Sequence, residues 1–259
     1  MTVKEKILVF VRATPEESTK YGHKVCVAGI TEKGEWRRLY PFKFVYGEKL
    51  IGFKKKDIIE VELGEPDNDK RKESRKVLGY KNLNSPLDDA DAIKKILPLV
   101  SSIEKLEGEK ASLGVIKPIL SGIEVKVNDT KIYDDQACFS MTGDFMEKRE
   151  KVKMPIELRY QFKCANEIDC KGHKIILIDW ELNELARNLL KKEKDAKIVQ
   201  QKIKERFYDF MLERDLYFIL GTHFKFGTWM VIGLFYPPKG LLSQKSLDEW
   251  KYEKCSAAG

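Results

Sequence analysis

Residues 7–63 are punctuated as strands and turns, and this punctuation constrains the fold more than any other part of the chain. Residues 7–12 form a compact apolar run, and a polar loop containing Pro15 follows. Residues 24–31 are rich in β-branched side chains, Glu32-Lys33-Gly34-Glu35 has the composition of a tight turn, and residues 36–42 return as a third run. That pattern predicts a hairpin. Residues 56–63 alternate, with Ile59, Val61 and Leu63 on one face and Ile58, Glu60 and Glu62 on the other, and Gly64-Glu65-Pro66-Asp67-Asn68 closes the run. Four short strands with turn punctuation within about 65 residues predict a small barrel or a strongly curved sheet.

The pattern then changes. Ser85-Pro86 predicts a helix to about Leu97, with Ser85 as N-cap and Pro86 at the first helical position. A short helical piece over 103–106, a loop over 112–118 and a strand over 119–127 follow, and residues 128–150 read as an irregular polar connection. Strands are expected at 155–163 and 174–178. Asp179 can cap a helix over 180–192, and a second helix over 194–212 carries the apolar stripe Val199, Ile203, Phe207, Phe210 and Met211. Strands over 216–222 and 229–236 are joined by the hairpin 224–227. The expected fold is α+β, with a small N-terminal β-barrel-like unit followed by an antiparallel sheet with helices on one face. The expected organisation is a β-rich unit at 1–84, a helical and irregular connection at 85–150, and an α+β domain at 151–259. No internal repeat or low-complexity tract is visible in the sequence.

Composition narrows the setting. At 259 residues and 42% apolar content, the chain can bury a sizeable core. No stretch approaches the roughly 18 apolar residues of a membrane span. Lys4 and Lys6 precede an apolar run of only about five residues, shorter than a secretory signal uses. The cysteines are five, an odd number, in Cys26, Cys138, Cys164, Cys170 and Cys255, which fits free or metal-bound thiols in a reducing cytoplasm. A charged fraction of 34% suggests a thermophile, because surface ion-pair networks gain value with temperature. The net charge of +7 permits attraction to phosphate without requiring it.

Two constellations carry candidate chemistry. Cys164, Cys170 and His173 form a Cys-x5-Cys-x2-His turn between two strands, and soft sulfur with imidazole nitrogen suits a structural zinc ion. Three ligands are one short of a closed site. His223 is the candidate for the fourth, with Asp169 and Cys138 as competitors. The plain alternative is that the cysteines are small buried hydrophobes and the histidine a turn residue. The second constellation spans 36–56, where Arg37, Arg38, Lys43, Lys49, Lys54, Lys55 and Lys56 interleave with Trp36, Tyr40, Phe42, Phe44, Tyr46 and Phe53. Lys70, Arg71, Lys72, Arg75 and Lys76 add a second cluster. Aromatic faces can stack on bases while cations hold phosphates, so Trp36, Arg37, Arg38, Tyr40, Lys54, Lys55, Lys56, Lys70, Arg71 and Arg75 are the expected nucleic-acid-binding residues. The competing expectation is that the aromatics fill a barrel and the lysines solvate its rim.

Catalytic sets are weak. Glu124-Val125-Lys126 has the Glu-x-Lys look of one nuclease class, but no aspartate stands on a clear strand shortly before it, and Asp179 is better explained as a helix cap. There is no nucleophile elbow, phosphate-cradling loop or dinucleotide fingerprint.

The runs YGHKVCVAGI, GEWRRLYPF, FKKKDIIEVEL and DKRKESRKV resemble the front half of a widespread, little-characterised prokaryotic protein family. SLGVIKP, the CxxxxxCxGH turn, IDWEL and the ending GT…W-x-V-x-G-x-F-x-P-P resemble its back half. The resemblance covers nearly the whole chain. It implies a free-standing protein with the Cys/His turn at Cys164, Cys170 and His173, and it implies no particular activity. The sequence, which shows no convincing catalytic set, therefore leads to a sequence-tolerant nucleic-acid-binding accessory protein with a protein partner and no membrane. One setting is a prokaryotic antiviral defence system built on a guide-dependent nuclease such as a short Argonaute. The alternatives are a metal-dependent enzyme acting on nucleic acid and a protein-interaction module.

Overall fold

The computed structural model describes residues 2–14, 16–18, 22–43, 52–128, 155–193 and 195–242. Phe44, Tyr46, Lys49, Cys138, Cys255 and nearly all of the 128–150 connection lie outside the described residues. The fold is α+β, and a closed five-stranded barrel stands at the N-terminus.

The barrel strands are β1 (Val3–Arg12), β3 (Gly22–Thr31), β4 (Trp36–Lys43), β5 (Ile58–Gly64) and β6 (Ser74–Asn82), while the short β2 (Glu16–Ser18) extends the edge of β3. The expected hairpin joins β3 to β4. Its turn is tied by the Thr31 hydroxyl, which accepts from the N–H groups of Lys33 and Glu35, and by Gly34 at φ +79°. β5 alternates buried and half-buried residues along its whole length, as its sequence period requires. β1 pairs with β3, β3 with β4, β5 with β6 and β5 with β1, all antiparallel, and β4 pairs with β6 in parallel. In chain order the ring reads first, second, third, fifth, fourth, first. This is the connectivity of an OB-type Greek-key barrel. Ile7, Val9, Val25, Val27, Leu39, Phe42, Phe53, Ile59, Val61 and Leu63 fill it.

After the barrel, α1 (Asp89–Ile96) begins three residues later than the Ser85 cap predicts, because the Asp88 side chain accepts from the Asp91 N–H and caps the helix there. A 3₁₀ turn, Leu97–Leu99, leads through β7 (Val100–Ser101) to α2 (Ile103–Gly108), β8 (Leu113–Ile116) and β9 (Pro118–Val127). Then come β10 (Ile156–Cys164), β11 (His173–Ile176) and α3 (Trp180–Lys192), which Asp179 caps by accepting from the Glu181 N–H. α4 (Ala196–Lys204) continues through a π-helical turn (Glu205–Asp209) into α5 (Phe210–Leu212), and β12 (Tyr217–Thr222) and β13 (Trp229–Phe235) follow.

The sheets of this half, antiparallel except for the short parallel pairing of β7 with β8, wrap around one core. β8 and β9 adjoin at Lys117; the first pairs with β12 and the second with β10. β10 pairs with β11, β12 with β13, and Leu177 just past β11 bridges in parallel to Val231 of β13. Taking β8 and β9 as one bent strand, the order is again first, second, third, fifth, fourth, first, with helices α3–α5 between third and fourth. Leu158, Tyr160 and Phe162 of β10 meet Phe218 and Leu220 of β12 inside this ring, and Leu182, Val199, Ile203, Phe207 and Met211 cover it from the helices. The second half is thus a barrel-like unit with the strand order of the first barrel, assembled from a three-stranded and a four-stranded sheet that meet at Lys117 and at the Leu177–Val231 bridge, and this repeat leaves no trace in the sequence.

A third apolar cluster joins the barrels. Leu8 and Phe10 of β1 and Ala28 and Ile30 of β3 pack against Leu113 and Val115 of β8, Tyr217 and Ile219 of β12, and Ile232 and Phe235 of β13. Burying each large side chain contributes about 1.5–3 kcal/mol, so the contact holds the barrels as one body. The fit is close: a Cβ on Gly233 would lie 2.8 Å from Val11 Cγ2. Among the described residues, no helix is long and apolar enough to cross a membrane.

Candidate metal centre and basic-aromatic face

β10 delivers Cys164 at its end, and β11 begins at His173. Between them the chain turns through backbone hydrogen bonds from Glu167 to Cys164 and from Cys170 to Glu167, with Gly172 at φ +95°. This brings Cys170 Sγ to 3.2 Å from His173 Nε2 and within 3.3 Å of the Cys164 backbone N–H. The fourth group comes from α2, where Glu104 Oε1 lies 3.2 Å from His173 Nε2. One ligand atom from each of Glu104, Cys164, Cys170 and His173 fits within 4.8 Å of the others. A tetrahedral zinc site has ligand-to-ligand edges of about 3.3–3.8 Å, so the four groups stand close to coordination spacing. Both cysteines are buried. Burial and the neighbouring Cys170 and Glu104 push the Cys164 thiol up to about 12, whereas a bound cation would deprotonate it outright. The cluster can hold a metal ion.

His223, the sequence candidate for the fourth ligand, is not in this cluster. It lies in the β12–β13 hairpin, where its Nδ1 accepts from the N–H groups of Lys225 and Phe226 and its ring stacks on Phe226 at 4.8 Å. Glu104 escaped the sequence reading because it stands on a short helix far upstream of the Cys/His turn. Asp169 is exposed in the turn and outside the four, and Cys138 is beyond the described residues.

The ten expected nucleic-acid-binding residues separate into two groups. Several are tied into the structure. Arg38 is buried and donates from Nη2 to the Ser112 carbonyl at 2.6 Å, across the joint between the barrels. Lys55 crosses the same joint, with Nζ 2.8 Å from Asp179 Oδ2 and 3.1 Å from Glu181 Oε1. Burial opposes the charge on Lys55, but the two carboxylates outweigh it and raise its pKa. Arg37 holds Glu5 at 2.7 Å and Glu35 at 2.6 Å, and Lys56 holds Asp89 at 2.6 Å. Arg71 is gripped by Asp69 at 2.6 Å and donates to the Thr222 carbonyl at 2.5 Å. Phe42 and Phe53 belong to the first barrel's core, edge-on to Tyr80.

The others face solvent or a groove. Tyr40, Lys54 and Lys70 are exposed. Trp36 is half-buried and tilted against Phe10 at 6.4 Å, and it lines a groove of about 580 Å³ between the barrels. Arg37, Lys72, Arg75 and Lys105 line it too, and so do Glu35, Glu73 and Glu109. Arg75 donates only to the Lys72 and Ser74 carbonyls and Lys72 only to the Glu109 carbonyl, so neither charge meets a carboxylate among the described residues. Next to this groove Arg71, in the loop between β5 and β6, donates to Thr222 at the end of β12 and stands over Phe224 in the loop that follows it. The sequence reading placed a hairpin at 224–227 but gave Phe224 and Phe226 no role, and both are exposed there.

Two family models match the chain, each described as a domain of unknown function: DUF8758 over residues 3–95 and DUF8757 over residues 99–252. The second covers more than half of the chain, and the chain belongs to that family. The junction between the matches falls at the end of α1, where the first barrel gives way to the second. A search of curated proteins finds no match.

Proposed function

We propose that the chain is a nucleic-acid-binding accessory protein that holds a strand along the groove between its barrels, with a structural zinc ion in the second. The observation that carries this reading is the OB-type barrel joined to a unit of the same strand order, with a groove between them that brings Trp36 together with Lys72, Arg75 and Lys105 beside the carboxylates of Glu35, Glu73 and Glu109. Barrels of this connectivity bind oligonucleotides through strand faces and through the loop between the fourth and fifth strands. Here the outer face of β1 and β3 is covered by the second barrel, which leaves the loops and the groove as the place for a ligand. The analogy of fold supports the class of ligand only, and the residues supply the chemistry.

Zinc is the metal that a Cys2HisGlu set suits, since thiolate and imidazole favour it and no redox role is needed. Its part is to fasten α2 to the β10–β11 turn. Among the described residues Cys26, Cys164 and Cys170 form no disulfide, which fits a reducing, cytoplasmic compartment.

The test is a salt series on binding of a labelled oligonucleotide. Each phosphate contact on a single strand adds about −0.7 to the slope of log K against log salt. Contacts from Lys70, Lys72, Arg75 and Lys105 therefore predict a slope near −3. Replacing all four with alanine should flatten it while leaving thermal stability unchanged. Failure of the wild-type protein to bind any oligonucleotide at low salt would end this reading and favour an interaction module for an acidic protein.

A further inference from the structure

We propose that the hairpin tip Phe224-Lys225-Phe226 is a stacking finger for unpaired bases, so that the ligand of this face is a single strand and not a duplex. This inference rests on the nucleic-acid reading above and specifies its substrate. Phe226 is 75% exposed and Phe224 56% exposed, the largest exposures among the described aromatic side chains. One such ring on a surface needs no explanation. Two on a three-residue tip that is held rigid need one.

The rigidity is built by neighbours. His223 Nδ1 accepts two successive backbone N–H groups, and the His223 imidazole lies nearly parallel to the Phe226 ring, at 22°. The Gly227 N–H donates to the His223 carbonyl, and Gly227 sits at φ +65°, which a side chain would resist. The hairpin is also fixed to the first barrel. Arg71 donates to Thr222 just below the tip, and its guanidinium stands 5.6 Å from the centre of the Phe224 ring. Asp69 anchors that guanidinium from the other side. One face of each ring is thereby supported, Phe226 by His223 and Phe224 by Arg71, while both residues stay more than half exposed.

The occupant follows from charge. Lys70 and Lys72 flank Arg71 in the sequence of the adjoining loop, and Lys225 stands between Phe224 and Phe226 in the sequence of the tip. None of the three meets a carboxylate among the described residues. Supported aromatic faces beside uncompensated ammonium groups match a base next to its phosphate. A duplex hides its base faces in the stack, so the rings can reach only unpaired nucleotides. An apolar protein segment would leave the cations unmatched.

The experiment measures affinity for a single-stranded oligonucleotide and for the corresponding duplex, with wild-type protein and with Phe226→Ala, Phe224→Ala and Phe226→Trp. Single strands should bind more tightly than the duplex. Phe226→Ala should lower single-strand affinity by about 5-fold to 150-fold, the range a base-stacking contact spans. Its salt slope should stay unchanged, because stacking releases no counterions. Phe226→Trp should restore binding, and 2-aminopurine in the strand should be quenched by wild type and less by Phe226→Ala. Wild-type affinity and quenching in Phe226→Ala would overturn the finger while leaving groove binding intact. No oligonucleotide binding by wild type would overturn both. Self-association that disappears in Phe226→Ala without any change in strand binding would assign the tip to a second copy of the chain instead.

Discussion

Replacing Lys55 with methionine separates the two roles open to that residue, because the structure makes it a fastener between barrels. Lys55 Nζ faces Asp179, whose carboxylate is fully buried and also accepts from the N–H groups of Glu181 and Leu234. Methionine keeps much of the volume and removes the charge, leaving a buried carboxylate without its cation. Breaking a buried pair from one side typically destabilises by about 3–5 kcal/mol, a large part of the roughly 5–15 kcal/mol that holds a domain together. The loss should depend on pH. Burial already pushes the Asp179 carboxyl up against the pull of Lys55, and without Lys55 it rises further. A folded-state value above the unfolded one, about 3.9, means the folded form binds the extra proton. The variant's deficit is therefore smallest below about pH 4 and grows as pH rises toward the folded value. Urea unfolding at neutral and acidic pH measures this, and Asp179→Asn added to Lys55→Met should recover part of the loss. Stability within about 0.5 kcal/mol of wild type at neutral pH, together with weakened oligonucleotide binding, would refute the fastener and return Lys55 to the ligand surface.

Two further predictions follow from the metal cluster and the loop contact. Protein purified without a histidine tag should carry about one zinc per chain by elemental analysis, and Glu104→Gln or Cys170→Ser should lower retention and the thermal midpoint in chelator; zinc-free protein that is indifferent to chelator would make the cysteines packing residues. Asp69 is held down at about 2, because hydrogen bonds from Arg71 and Ser74 outweigh the opposing effect of its burial. Its contribution is present above the unfolded value near 3.9 and is lost as pH falls through about 2, so Asp69→Asn should flatten the acid limb of the thermal-stability profile between those values; an unchanged limb would contradict the pairing.

What the sequence made legible depended on local period and turn chemistry. The β3–β4 hairpin and β5 were visible because Gly34 and the alternation of Ile59, Val61 and Leu63 are short-range signals. β6 was not, because SRKVLGYKN sends chiefly Val77 toward the barrel core and leaves Leu78 and Tyr80 exposed, so its sequence resembles a basic loop. The second ring was hidden because its closure depends on one parallel bridge, Leu177 to Val231, between residues far apart in the chain. The Cys/His turn announced three members of the metal cluster through spacing. Glu104 depended on the docking of α2, which no local pattern encodes. Lys55 and Arg38 looked like ligand cations because sequence gives charge but not partner, and their partners Asp179 and Ser112 lie in the other barrel.

The central claim is that nucleic acid lies along the groove and the joined loops of the two barrels. Photo-crosslinking of a single strand carrying 5-bromouracil, followed by mass-spectrometric mapping, tests it most directly. The account predicts crosslinks at Trp36 and at Phe224 or Phe226, lost when excess unlabelled strand competes. Crosslinks confined to the open outer face of β10 and β11, around Arg159, Lys163 and Lys174, would contradict it, because they would place the strand on the second barrel alone.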